Sequence, residues 1–163
     1  MNFKKITVLF CFILILNAAS AQEAERTQDS ELGISFSVPD GWSATKKGDA
    51  YILSSAGFNG FVMLKTELLH SINEVQSAME NGIELQDSTK MMPVEDLKLL
   101  GQQGVSGMYR GKIDEQDMTG YLIALMETNK QKTVLCISIS PSDKFNQSNL
   151  DYVKILVRSV IFE

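Results

Sequence analysis

The sequence predicts an α+β domain organised around an antiparallel β-meander. Three observations carry this. Between Leu99 and Ser140, three strand-like runs are separated by two polar turns, Asp114–Asp117 (DEQD) and Thr128–Lys132 (TNKQK). Short polar turns of this kind join strands that pair with their sequence neighbours. In the last run, Thr133, Leu135, Ile137 and Ile139 alternate with Val134, Cys136, Ser138 and Ser140. A period of two gives a strand one face more buried than the other. Elsewhere the period becomes helical, once after Ser71 and once near the C-terminus.

In chain order, Met1–Lys5 is basic, Ile6–Leu16 is apolar, and Ala19-Ser20-Ala21 suits a signal peptidase. Residues 1–21 are therefore expected to be a signal peptide cleaved before Gln22. The apolar run is short for a bilayer span. Cys11 follows bulky Phe10, whereas a lipidation site needs a small residue there. Residues 22–31 are expected to be a flexible leader, followed by a single domain over residues 32–163. Ile34, Phe36 and Val38 alternate with serines as a first strand. Pro39-Asp40-Gly41 then turns the chain into Trp42. Lys46–Asp49 reads as a turn, with strands at 50–54 (AYILS) and 60–69 (GFVMLKTELL). Ser71-Ile72-Asn73-Glu74 is a capping box. It opens a helix with a stripe of Ile72, Val75, Met79 and Ile83, stopped at Gly82. Residues 84–93 read as a polar loop and 94–100 as an edge strand. After the meander, Pro141 ends the last strand because it cannot donate to a ladder. Ser148 or Asn149 then caps a final helix carrying Leu150, Val153, Leu156, Val157 and Val160 on one side.

The whole chain of 163 residues carries 15 basic and 20 acidic residues, a net charge of −5. Loss of Lys4 and Lys5 with the signal peptide would leave 13 and 20, or −7. An acidic exported domain of 142 residues can bury a core, stays soluble and repels nucleic acid. No transmembrane segment would remain. Of the two cysteines only Cys136 lies beyond the signal, so the core and not a disulfide must supply stability.

The chemistry-bearing residues are sparse. Gly101, Gly104, Gly107 and Gly111 invite a phosphate-loop reading, but Gly111-Lys112 precedes Ile113 rather than Ser or Thr. They fit a bulged strand approached closely by another element. His70 is the single histidine, and Cys136 lies mid-strand as a buried, inert thiol. Zinc sites and nucleophilic triads need more partners than these. The turn at Asp114 lacks calcium-loop spacing. The inventory points to no catalytic residue, no cofactor and no metal, and hence to a non-enzymatic domain; a pair of carboxylates meeting in space stays open. Four residues are candidate partner or ligand contacts. Trp42 could be an aromatic platform, although a single tryptophan more often packs. Met91 and Met92 could offer flexible, polarizable contacts from a loop at the sheet margin, unless one of them plugs the sheet edge. Tyr109, with Trp42 or Phe61, could line a ligand pocket.

The opening ISFSVPDGW (Ile34–Trp42), the Gly-punctuated meander and the ending Ser159-Val160-Ile161-Phe162 resemble the PsbP-like superfamily. That superfamily includes a Ran-binding nuclear import factor and the DcrB-like bacterial envelope proteins. The resemblance covers about Leu32 to Glu163. It implies an antiparallel sheet with helices on both faces, an α/β/α sandwich. With the export signal it points to a periplasmic or secreted domain that binds a protein partner or assists envelope assembly. The alternatives are a small-ligand binder and a carboxylate hydrolase.

Overall fold

The computed structural model describes residues 26–85, 89–101 and 103–163. The signal peptide, its cleavage site and residues 22–25 of the expected leader lie outside the described residues. Twelve strands are described: β1 (Arg26–Asp29), β2 (Ile34–Ser37), β3 (Ser43–Lys47), β4 (Ala50–Ser54), β5 (Phe61–Glu67), β6 (Ile83–Glu84), β7 (Lys90–Pro93), β8 (Lys98–Leu99), β9 (Gly104–Ile113), β10 (Gln116–Glu127), β11 (Lys132–Pro141) and β12 (Ile161–Phe162). Helix α1 spans Ile72–Glu80 and α2 spans Gln147–Ser159.

A nine-stranded antiparallel sheet runs in the order β3-β4-β5-β11-β10-β9-β7-β6, with β8 also paired to β9. The meander is its centre. The β9–β10 hairpin turns on Asp114 (φ 48) and Glu115 (φ 64). A two-residue turn with both φ values positive matches the twist of its strands. The sheet curls on itself as a half-barrel. A smaller sheet, β1-β2-β12, ties the two described ends of the chain together.

α1 packs on β9, β10 and β7, and α2 packs on β11, β10 and β2. Each has its own apolar cluster. Val75 and Met79 of α1 meet Val105, Tyr109, Leu122, Leu135, Ile137 and Ile139. Val153, Leu156 and Val157 of α2 meet Ile34, Phe36, Leu53, Leu64, Val134 and Cys136. Residues in these two clusters alternate along β11, so the helices lie on opposite faces of the sheet. The result is mainly β, with only two described α-helices between the strands.

Several expectations change. β11 has no open face: every residue from Thr133 to Ser140 is buried, because a central strand between two layers loses its polar side. The serines on it were a false sign of exposure. Residues 26–29, expected within a loose leader, form β1 against β2. The serine of the capping box does accept from Glu74 N–H at 3.2 Å, but Glu74 reaches back to His70 N–H at 2.8 Å, one residue further than expected. Ile83 leaves the helical stripe. Gly82 takes φ +88 and sends the chain straight into β6. The final helix is capped by Asn146, with Asn149 completing the capping box. At Gly111 a Cβ would lie 2.8 Å from the Lys90 carbonyl oxygen, so the close approach is present. The bulge is not: β9 and β10 pair without interruption from Ile113 to Gly104.

Candidate partner-binding surface

The β7–β8 margin of the sheet is where apolar side chains meet water. The stretch expected as a polar loop contains β7, and its alternation divides the two methionines. Met91 is fully buried on the α1 side, beside Met79 and Ile83. Met92 pairs with Arg110 on the opposite side and is 45% exposed. Val94 N–H donates to the Met108 carbonyl at 3.0 Å, which carries the same register one step further. Val94 is 48% exposed. The chain returns through β8, where Leu99 pairs with Val105, and Leu100 N–H donates to the Gly104 carbonyl at 2.8 Å. Leu99 and Leu100 are 59% and 41% exposed.

Four large apolar residues thus stand in water along one edge. Half-buried Met108 lies on the Met92 side of β9. Arg110 is exposed beside Met92 and makes no ion pair among the described residues, whereas Lys98 lies 3.7 Å from Glu95. Single exposed hydrophobics need no explanation, but several along one margin do. Met92 and Val94 share the Arg110 face, while Leu99, opposite core Val105, lies on the α1 face. Both strands on this edge are short, and Pro93 interrupts donation from it. This blunts further strand pairing. The side chains, rather than the backbone, are what this edge offers.

The other expected contacts fall elsewhere. Tyr109 is fully buried, and its hydroxyl donates to the Met79 carbonyl at 3.0 Å. Burial pushes its phenol pKa up. It is core, as is Met91, and neither is accessible to a partner. Trp42 is half-buried, with ring centroids 5.0 Å from Phe58 and 4.5 Å from Tyr152 of α2. The crevice between Trp42, Pro39, Leu53 and Tyr152 is only about 10 Å³, no larger than a single water site. Phe61 does line a cleft, of about 340 Å³, but with β4 and β6 rather than with Trp42 or Tyr109. Val94, Leu99 and Leu100 were missed as contacts. Their signal was the interleaved Glu95, Asp96 and Lys98, which mark a solvated stretch.

Charge is concentrated at one structural point. Asp29, 6% exposed, accepts from Tyr51 Oη at 2.9 Å and Leu32 N–H at 2.9 Å, and lies 2.7 Å from Lys46 Nζ. Burial alone would raise its pKa. The bonds from Lys46, the Leu32 N–H and Tyr51 outweigh that and hold it at about 2. The contact clasps the β1–β2 hairpin to β3 and β4. Burial pushes the Cys136 thiol well up. Among the described residues, no group of three or more His, Cys, Asp or Glu could hold a metal ion, and no helix is long and apolar enough to cross a membrane.

No family model matches the sequence, and no curated protein matches it. Solved structures do. The Saccharomyces cerevisiae Ran-binding protein Mog1p is 14% identical, with a TM-score of 0.58 over 85% of this chain and 94% of that one. A point mutant of the protein Mog1 is 12% identical, with a TM-score of 0.56 over 85% of this chain and 95% of that one. At these identities the likeness is one of fold: the chain has a Mog1-like arrangement of sheet and helices.

Proposed function

We propose that this is a non-catalytic domain that binds a protein partner through the β7–β8 margin. The observation that carries the reading is the exposure of Met92, Val94, Leu99 and Leu100 along one sheet margin, with Met92 and Val94 beside Arg110, which makes no ion pair among the described residues. Methionine and leucine supply adaptable apolar contact, and an arginine at the rim adds directional hydrogen bonds. The fold of Mog1p, a Ran-binding protein, supports the same class of role, although fold alone does not carry function. The partner sits in the envelope or outside the cell, as the signal-like N-terminus favours. The chain is then a distant member of the PsbP-like superfamily, near the DcrB-like envelope proteins, with a part in envelope assembly or maintenance.

Site-specific photo-crosslinking in the native host tests this. A photoreactive residue at position 92 or 94 should give one discrete protein adduct. The same residue at Ser43, on the opposite edge strand, should not. Absence of an adduct from the β7–β8 positions, or equal adducts from Ser43, overturns the reading.

A further inference from the structure

The cleft on the α1 side of the sheet has the layout of an amphiphile site, and we infer that it binds a small apolar carboxylate, such as a medium-chain fatty acid. The site is separate from the β7–β8 margin and does not rest on the partner reading. Its floor comes from strand register. Lys47 pairs with Ala50, and Ala50 pairs with Lys65. Directly paired residues share a face, so the two lysines stand on the cleft side with the small Ala50 between them. Adjacent strands are about 4.8 Å apart. The two lysines therefore start roughly 10 Å apart, close enough for their long side chains to converge on one head group.

Beyond that row the floor is apolar. Ile52 pairs with Met63, and Phe61 follows two residues further along β5. Leu85 and Ile113 close the opposite wall. Lys65 to Phe61 is four residues, about 13 Å of extended strand, which suits a chain of about eight to ten carbons. The volume of about 340 Å³ lies in the range of small-molecule sites.

The head-group end favours an anion. Lys65 is the charge withdrawn from water there, its side chain only 19% exposed, and its Nζ is held by Glu67. A ligand carboxylate can take the place of Glu67, which is 40% exposed and free to turn to solvent. Lys47 makes no ion pair among the described residues and supplies the second cation. Asp49 and Glu84 also border the cleft. Like Lys47 they are exposed, so water and salt screen all three charges, and Lys65 remains the cation with the least solvent around it.

Titration of the purified domain with sodium decanoate, decanol and decylamine tests this, followed by calorimetry and by NMR of the Ile52 and Met63 methyl groups. Decanoate should bind at one site, shift both methyl signals, and bind about tenfold more tightly than decanol, the scale of a charge-assisted hydrogen bond. In the double variant Lys47→Gln/Lys65→Gln, the preference for decanoate over decanol should vanish while decanol binding persists, which also reports an intact fold. No saturable decanoate binding, an equal or greater affinity for decylamine, or an unchanged preference in the double variant would overturn the inference. Shifts confined to Met92 and Leu99 would overturn it too, and would leave the partner-binding reading untouched.

Discussion

Met91 and Met92 are neighbours in sequence and opposites in the fold, so serine at each position should have different consequences. Met91 is fully exposed only on unfolding: its native side chain is 0% accessible and packs beneath α1 with Met79, Ile83 and Tyr109. Met91→Ser removes a buried thioether chain and leaves a hydroxyl in an apolar cluster. Large-to-small core changes of methionine cost about 2–5 kcal/mol, and an unbonded buried hydroxyl adds about 1–3. Partial relaxation brings the expected loss to about 3–4 kcal/mol. Met92 is 45% exposed on the other side of the same strand. Met92→Ser should stay within about 0.5 kcal/mol of the parent, the usual range for surface changes. Urea unfolding followed by Trp42 fluorescence measures both. Photo-crosslinking from position 94 then measures partner capture. Met92→Ser should weaken capture without a stability loss, and Met91→Ser should lower stability whatever the partner does. Equal stability losses at the two positions would refute the strand register on which the proposed surface rests. A Met92→Ser protein that is stable and captures partner as well as the parent would remove Met92 from the interface.

Two further outcomes follow from the buried polar and thiol groups. Asp29 is held at a pKa of about 2, below the ordinary aspartate value of 3.8. A depressed carboxyl stabilises the fold above its unfolded pKa and loses that contribution as pH falls through the folded value. The Asp29→Asn variant should be less stable than the parent by on the order of 1–2 kcal/mol near pH 7, and the gap should close between about pH 5 and pH 2; a gap independent of pH in acid would refute the clasp. Cys136 is fully buried and its thiol is pushed up by burial, so a thiol reagent should label native protein only at the rate of unfolding, and rapid labelling in buffer without denaturant would contradict the packing.

The sequence by itself determined the local elements. The meander, its turns and both helices could be read from period and punctuation. Asp114-Glu115 sits between two alternating runs, and Pro141 closes the last of them. Their signals are short-range: side-chain direction, φ preference and a missing N–H donor act within a few residues. Tertiary structure decided what those elements face. Ser138 and Ser140 alternate with isoleucines as if toward water, yet both are buried beneath α2's side of the sheet, because two layers cover β11. Tyr109 was legible as an aromatic residue in a strand, but not as a core residue bonded to Met79, thirty positions away. The loop with two methionines became β7 only because β9 offered it an edge. Of the four contact candidates read from sequence, Met91 and Tyr109 are buried in the core, Trp42 is half-buried against Phe58 and Tyr152, and Met92 is exposed. The lysine pair over Ala50 was invisible for the same reason. Positions 47, 50 and 65 become one row only through strand pairing, and register is a property of the assembled sheet, set by which faces find a core.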